Sequence, residues 1–252
     1  MTRPSMLWTV IVGGFGFTVA ASLCDGFPIL TTPSAATSPA TAPAKENLTA
    51  ADYVASGIAK RSKGDLDGAI TDYSKAIALK ADLAEAYYDR GIAKYLKKDP
   101  DGAVAGFSKA IELKPKYEDA YCNRADVKSE QGDLDGAIAD FNKAIELNAD
   151  DASAYSNRGI ARKAKGDLEG AIADYSKAIA LKPTMVEVYH NRGIAKHMKG
   201  DLDGAIADYT KAIELQPNLA DAYNNRSIAK TAKGDVAGAA ADLKRADELK
   251  AK

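Results

Sequence analysis

The residues from Ala152 to Met185 read ASAYSNRGIARKAKGDLEGAIADYSKAIALKPTM. Apolar and small residues recur in this stretch at spacings of three and four, which is the period of an amphipathic helix. Gly166 interrupts the pattern, and Asp167 follows where a carboxylate can accept hydrogen bonds from the first free amides of a new helix. Pro183 ends the second run, because proline cannot continue a helix. The stretch therefore predicts two helices joined by a tight turn.

The same 34-residue pattern continues through the chain after Thr49, without insertion or deletion. A tyrosine stands at the fourth place of every unit: Tyr53, Tyr87, Tyr121, Tyr155, Tyr189 and Tyr223. The six units start at Ala50, Ala84, Glu118, Ala152, Val186 and Ala220, and the last is one residue short. A fixed period of this length indicates a solenoid, in which each unit buries its apolar face against its neighbours.

Small residues recur between the large ones. Alanine stands at the twentieth place of all six units, and glycine stands at the eighth place of four: Gly57, Gly91, Gly159 and Gly193. The missing side-chain volume lets neighbouring helices approach closely, and an aromatic residue can then fill the space beside them. We therefore expect closely packed helix pairs.

Together with Tyr or Phe at the twenty-fourth place and Ala at the twenty-seventh, these places resemble the tetratricopeptide repeat family, over about four-fifths of the chain. The resemblance implies an all-α fold, a right-handed superhelical solenoid of six tandem 34-residue helix-turn-helix units. It also implies that the first helices line a concave face that binds extended peptides or partner helices. The departures are mild: Ala125 and Ser227 replace the glycine, and Leu243 replaces the aromatic residue.

The sixth place of the first helices forms a polar column of Asp89, Asn123, Asn157, Asn191 and Asn225. A carboxamide both donates and accepts hydrogen bonds, so a regular column of them can pair with the backbone of an extended peptide. The alternative interpretation is that these side chains bond to a neighbouring helix and fix the stacking of the units. Both interpretations are open from the sequence.

Other positions on the same helices vary from unit to unit, and variation on a constant scaffold is where binding specificity can arise. The candidate peptide-binding residues at the fifth and twelfth places are Tyr88, Tyr95, Lys163, His190 and His197. By contrast, the arginines at the seventh place recur with aspartates of the second helix, which favours structural ion pairs over anion binding. Gly106 replaces that aspartate in the second unit.

Several classes of function are disfavoured. The 34 basic and 35 acidic residues nearly cancel, so no positive field draws the chain to nucleic acid. His190 and His197 are seven residues apart, two turns of one helix, which does not suit joint metal ligation. Isoleucine at the ninth place excludes the clamp by which some family members hold two carboxylates. We predict a protein that is not an enzyme and has no metal site and no cofactor.

The N-terminal segment has the pattern of an export signal. Residues 7–23 carry no charge, follow Arg3 and end in the small residues Ala20, Ala21 and Ser22. A retained membrane anchor is the alternative, because 17 residues fall within the tolerated length of a membrane span. The predicted organisation is a signal peptide or anchor (1–24), a flexible linker rich in Pro, Ala, Ser and Thr (25–49) and a repeat domain (50–252).

The predicted function is a non-enzymatic scaffold that binds a protein or an extended peptide on its concave face. Export would place it in the periplasm or cell envelope, or attached to the inner membrane through residues 7–23. The alternative is a structural subunit that packs into a larger envelope or secretion complex through its convex face or ends. Ala240 and Asp247 replace isoleucines of earlier units and predict a polar terminal cap, which favours a monomeric solenoid.

Overall fold

The structure is a computed structural model that describes residues 8–12, 15–19 and 48–251. The first helices of the six repeats are α1 (Ala50–Ser62), α3 (Ala84–Leu96), α5 (Glu118–Glu130), α7 (Ala152–Lys165), α9 (Val186–Lys199) and α11 (Ala220–Ala232). The second helices are α2 (Leu66–Leu79), α4 (Pro100–Leu113), α6 (Leu134–Leu147), α8 (Leu168–Leu181), α10 (Leu202–Leu215) and α12 (Val236–Lys250). The prediction of an all-α array of tandem helix pairs is confirmed for the repeats.

A β-hairpin precedes the repeats. Strands β1 (Trp8–Val12) and β2 (Phe15–Val19) pair antiparallel, with Val12 opposite Phe15 and Trp8 opposite Val19. These strands were not predicted, although β-branched and aromatic residues occur in both and favour extended backbone. Most of the predicted linker, residues 25–47, lies outside the described residues. Among the described helices, none has the length and apolar character that crossing a membrane requires.

The helices fall into two compact units. One contains α1 to α5 and ends at Gln131, and the other contains α6 to α12, from Gly132 onward, together with the N-terminal strands. Within each unit, every helix packs against the next one along the chain. First helices of neighbouring repeats also touch, α1 with α3 in one unit, and α7 with α9 and α9 with α11 in the other.

An aspartate caps the N-terminus of every second helix, as the sequence predicts for Asp167. The Oδ1 atom of Asp167 accepts a hydrogen bond from the amide of Gly170 at 2.9 Å. The equivalent caps are Asp65, Asp99, Asp133, Asp201 and Asp235. The glycine that donates is closely confined, since a Cβ at Gly204 would lie 2.1 Å from Oδ2 of Asp201. Each cap satisfies a backbone amide that the helix leaves without an internal partner.

The turn between the paired helices requires left-handed backbone. The residue before the capping aspartate has a φ between 83° and 90° in five repeats: Gly64, Gly132, Gly166, Gly200 and Gly234. Lys98 adopts a φ of 66° at the same place in the second repeat. Glycine populates this region without steric penalty, which explains the interruption of the helical pattern at Gly166.

The core between the helices consists of alanines and aromatic rings. Tyr73, Phe107, Phe141, Tyr175 and Tyr209 are at most 1% exposed. The glycine of the first helix makes room for this ring: a Cβ at Gly193 would lie 2.6 Å from Cε1 of Tyr209. The predicted role of the small residues, to let helices approach beside an aromatic side chain, is therefore confirmed.

The last repeat has a mixed outer surface. Ala240 and Asp247 are exposed, in agreement with the predicted polar replacement of isoleucine. Three large apolar side chains are exposed as well: Ile228 at 48%, Val236 at 71% and Leu243 at 46%. Leu243 holds the place at which the other repeats bury an aromatic ring.

Candidate binding face of the first helices

The candidate residues lie on the first helices, and we call the fifth, sixth and twelfth places of each repeat the first-helix face. In the unit of α1 to α5, Asp89 on α3 contacts the guanidinium of Arg61 on α1, with Nη2 and Oδ1 3.2 Å apart. Burial raises the pKa of Asp89 to about 6, and the Arg61 charge opposes this shift. The Asp89 carboxylate is thus already engaged by the preceding repeat.

Tyr88 and Asn123 join α3 to α5. The Nδ2 atom of Asn123 donates to the hydroxyl of Tyr88 at 2.8 Å, in a buried setting. The Tyr88 ring also lies 5.7 Å from Phe107 and 4.8 Å from Tyr117, centroid to centroid. Burial raises the pKa of the Tyr88 hydroxyl, which therefore stays protonated. These contacts combine an aromatic cluster with one amide hydrogen bond.

Tyr95 on α3 contacts a side chain on α5. It is half-buried, and its hydroxyl donates to Oε1 of Glu130 at 2.6 Å in an exposed setting. Burial, together with this contact, raises the pKa of the hydroxyl. Tyr95 therefore presents part of its ring and an acidic neighbour to solvent.

In the unit of α6 to α12, two hydrogen bonds connect successive first helices. The Nζ atom of Lys163 on α7 donates to Oδ1 of Asn191 on α9 at 3.4 Å. One position earlier on α9, Nε2 of His190 lies 2.8 Å from Nδ2 of Asn225 on α11. An amide nitrogen can only donate, so the imidazole nitrogen accepts and the ring is neutral. Asn157 is buried on α7, and His197 is half-buried on α9.

Burial shifts the pKa values of Lys163 and His190. It lowers the pKa of Lys163 to about 8. Burial also lowers the pKa of His190 to about 4; the Asp221 carboxylate opposes this shift and the Lys163 ammonium adds to it. At neutral pH, Lys163 is therefore mainly charged and His190 is neutral.

The asparagine column makes contacts of the kind expected for stacking. Asn123 and Asn225 each bond to the fifth place of the preceding repeat, and Asn191 bonds to the twelfth place. These partners were not predicted from the sequence. They are 28 or 35 residues apart and stand at different places of neighbouring repeats, whereas the sequence comparison aligned identical places. Binding of a peptide by the same amides remains a proposal.

The arginine column is structural, as the sequence predicts. Arg158 forms two hydrogen bonds with Asp174, at 2.6 and 3.0 Å, and a third with Oδ1 of Asn142 in the preceding second helix at 2.7 Å. Arg192 and Arg226 make the same double contact with Asp208 and Asp242. Each guanidinium thereby links the two helices of its repeat to the preceding helix.

Arg90 of the second repeat has no aspartate partner on α4, because Gly106 stands at that place. Its Nη1 atom donates to Ser74 at 3.2 Å, but its buried Nε has no hydrogen-bond partner among the described atoms. Gly106 stands where the other repeats have aspartate, and a Cβ there would lie 2.9 Å from Cα of Gly91. The closer approach of the two helices leaves no room for the carboxylate.

Comparison with known proteins identifies the repeat. A TPR repeat model matches residues 57–98, 125–166, 161–200 and 195–234, which together make up more than half of the chain. The chain belongs to the tetratricopeptide repeat family. Further tetratricopeptide repeat models match residues 84–117 and 107–139. No curated protein matches the chain.

Solved structures with the tetratricopeptide fold are also similar. One of them is MamA, which is 30% identical, with 66% of this chain and 96% of that chain covered and a TM-score of 0.62. YrrB, described as a TPR protein with an unusual peptide-binding site, is 21% identical over 70% and 91%, with a TM-score of 0.63. A tetratricopeptide repeat protein from Parabacteroides merdae is 19% identical over 79% of both chains, with a TM-score of 0.69. The last two likenesses concern the fold.

Proposed function

We propose that this tetratricopeptide repeat protein is a non-enzymatic scaffold that binds a protein or an extended peptide on its first-helix face. One observation carries the proposal: the repeats keep a constant buried core, while the twelfth place changes chemically from repeat to repeat. Arg61 and Tyr95 in one unit, and Lys163 and His197 in the other, are all half-buried, and they carry guanidinium, phenol, ammonium and imidazole groups. A role in folding alone gives no reason for this variety.

The chemistry of the face suits recognition better than catalysis. Asp89 and Tyr95 are held by neighbouring side chains, His190 is neutral and bonded to Asn225, and no nucleophile with an adjacent base stands among these candidate residues. Amide, phenol and ammonium groups can instead pair with the polar backbone or side chains of a guest.

A variant of the face tests the proposal. Asn191→Ala combined with His197→Ala removes two polar groups from α9, and we expect capture of partner proteins from native extract to fall at least tenfold, by quantitative mass spectrometry. The matched control is Lys177→Ala with Lys211→Ala, two exposed lysines on the second helices α8 and α10. Both variants should keep the helical circular dichroism of the parent chain. Unchanged capture by the first variant would contradict the proposal.

A structural role in a larger assembly is the second candidate. The exposed Ile228, Val236 and Leu243 on the last repeat favour it, because apolar residues at the end of a repeat array can pack against another subunit. Val236→Ser with Leu243→Ser would then abolish capture while the α9 variant retains it. The two candidates therefore predict opposite results from the same pair of measurements.

Export is part of the proposal. The charge-free run 7–23 after Arg3 and the small residues that end it support delivery to the periplasm or cell envelope. Mass spectrometry of the full-length protein made in a bacterial host should find an N-terminus close to residue 24. An intact N-terminus with membrane association would instead favour the anchored alternative, and an intact N-terminus in the cytoplasm would contradict export.

A further inference from the structure

Lys163 differs from the other half-buried cations of the first helices in the unit of α6 to α12. Arg158, Arg162, Lys196 and Lys230 each contact the carboxylate of an aspartate on a second helix. Lys163 contacts no carboxylate within residues 48–251, and its described partner is the neutral amide oxygen of Asn191 at 3.4 Å. Its positive charge is therefore left without a counter-charge.

The first two repeats contain the equivalent contact with a carboxylate as the partner of the cation. Arg61 and Asp89 stand at the twelfth place of one repeat and the sixth place of the next, the same two places that Lys163 and Asn191 occupy. Arg61 forms an ion pair with Asp89, whereas Lys163 finds an amide. At the same pair of places, one cation therefore meets a carboxylate and the other meets a neutral amide.

The surroundings of Lys163 do not supply the missing charge. Asn191 accepts from the ammonium, and the neighbouring His190 is neutral and bonded to Asn225. Asp221 is exposed and acts on His190. An ammonium can donate three hydrogen bonds, and the described contacts use one of them.

We propose that Lys163 binds a carboxylate of the peptide held on the first-helix face, with Asn191 positioning the ammonium. The inference rests on the function proposed above and specifies the chemistry of its ligand. The carboxylate can come from an acidic side chain or from a chain terminus, and both would take the place that Asp89 takes beside Arg61. The site differs from the two-carboxylate clamp, because its cation stands at the twelfth place and isoleucine fills the ninth.

The burial of Lys163 gives the contact a dependence on pH. The pKa of Lys163 lies at about 8, so the free protein loses part of its charge as the pH rises from 7 to 9. His190 beside it is already neutral, because burial lowers its pKa to about 4, so its charge does not change in this range, and the Asp221 carboxylate acts on His190. Affinity for a carboxylate should therefore fall as the pH rises through about 8, and Lys163→Arg should remove that fall, because arginine stays charged.

Random octapeptides in three soluble sets provide the probe: peptides with a free C-terminal carboxylate and no Asp or Glu, C-terminal amides containing Asp or Glu, and C-terminal amides without any acid. The full chain is used to select binders from each set, and affinities are measured by fluorescence anisotropy. We expect binders from one or both acidic sets. The set that yields them identifies the source of the carboxylate.

Two variants of the site and one control complete the test. Lys163→Met removes the charge and Asn191→Asp supplies an internal carboxylate, so each should weaken acidic binders about tenfold or more. Lys199→Met removes an exposed lysine at the end of α9 that pairs with Glu169 of the preceding repeat, and it should leave affinity unchanged. Asn191→Asp adds charge without removing volume, which separates loss of binding from loss of folding.

The outcomes separate this inference from the proposed function. Acid-free amides that bind as tightly as acidic peptides, or equal affinities in the parent chain, Lys163→Met and Asn191→Asp, would overturn the carboxylate site and leave peptide binding intact. Failure of all three sets to yield a binder would overturn both.

Discussion

Asp208 connects three helices of the unit formed by α6 to α12. Its carboxylate accepts two hydrogen bonds from Arg192, at 2.7 and 2.9 Å, and contacts the ammonium of Lys196 at 2.8 Å. Arg192 in turn donates to Ser176 on the preceding second helix. We expect Asp208→Ala to lower the free energy of unfolding by about 3–5 kcal/mol, because two largely buried cations lose their counter-charge. Urea denaturation followed by circular dichroism measures the change.

Asp203 provides the control for this prediction on the same helix. Its side chain is 81% exposed and pairs with Lys233 of the next repeat. Exposed ion pairs contribute little because water screens them, so Asp203→Ala should cost less than about 1 kcal/mol. Equal losses in the two variants would show that burial does not set the strength of these ion pairs.

Asp89 makes stability depend on pH. The folded chain holds its proton with a pKa of about 6, compared with 3.8 for a free aspartate, because burial penalises the charged form. The folded state therefore binds more protons than the unfolded state between about pH 4 and pH 6. Through this window the free energy of unfolding should fall as the pH rises, by up to about 3 kcal/mol, and it should not recover above it.

Asn at position 89 removes this titration. Asp89→Asn should flatten the pH dependence of urea unfolding between pH 4 and pH 7, relative to the parent chain, and it gives the second repeat the asparagine that the third to sixth repeats have at this place. The two chains differ at this side chain alone, so the difference between their curves isolates the contribution of Asp89. Parallel curves would contradict the burial effect.

At the level of single residues, the sequence predicts contacts between two places that recur in most repeats. It does not predict contacts between different places of neighbouring repeats. The pairing of Arg192 with Asp208 is visible because both places recur in most units. The contacts of Arg61 with Asp89 and of Lys163 with Asn191 cross a repeat boundary, so the column-by-column comparison misses them. One signal was present: the second repeat has Asp in place of Asn, and the twelfth place before it is Arg61.

At the level of helices, the capping aspartate and the glycine beside it act as a pair. Asp201 caps α10, and a Cβ at Gly204 would lie 2.1 Å from its Oδ2 atom. Asp201→Ala should destabilise the protein by about 1 kcal/mol. Gly204→Ala should destabilise the parent chain by displacing the cap, but should stabilise the Asp201→Ala variant by up to about 1 kcal/mol, since alanine favours the helix.

A double-mutant cycle measures this change of sign by urea denaturation. Strictly additive effects would mean that glycine at this place serves some purpose other than the cap. The aspartate and glycine recur together in all six second helices, so the same result is expected for the pair Asp235 and Gly238.

Helix positions were largely predictable because three local signals coincide: the helical spacing of apolar residues, the glycine of the turn and the capping aspartate. The predicted first helix from Ala152 to Lys165 is the observed α7, with Gly166 in left-handed conformation after it and Asp167 capping the next helix. The hairpin of β1 and β2 was not anticipated. A short apolar run without a clear period is ambiguous between helix and strand.

At the level of the whole molecule, the 34-residue period is the same in all six units. Nothing in it marks the division into two compact units at Gly132, because the glycine there recurs at the same place in four other repeats. The units differ chemically at half-buried places such as Lys163 and His197, and the repeat period does not predict which side chain stands there. The sequence therefore predicts the scaffold well, and the choice of guest only through individual side chains.

Site-specific crosslinking tests the central claim most directly, namely that the first-helix face receives a guest. The photoreactive amino acid p-benzoylphenylalanine is placed at position 197, replacing the half-buried His197 on α9, or at position 177, replacing the exposed Lys177 on α8. After illumination in native extract, the account predicts a discrete crosslinked partner from position 197 and none from position 177. A partner crosslinked from position 177 alone would contradict it.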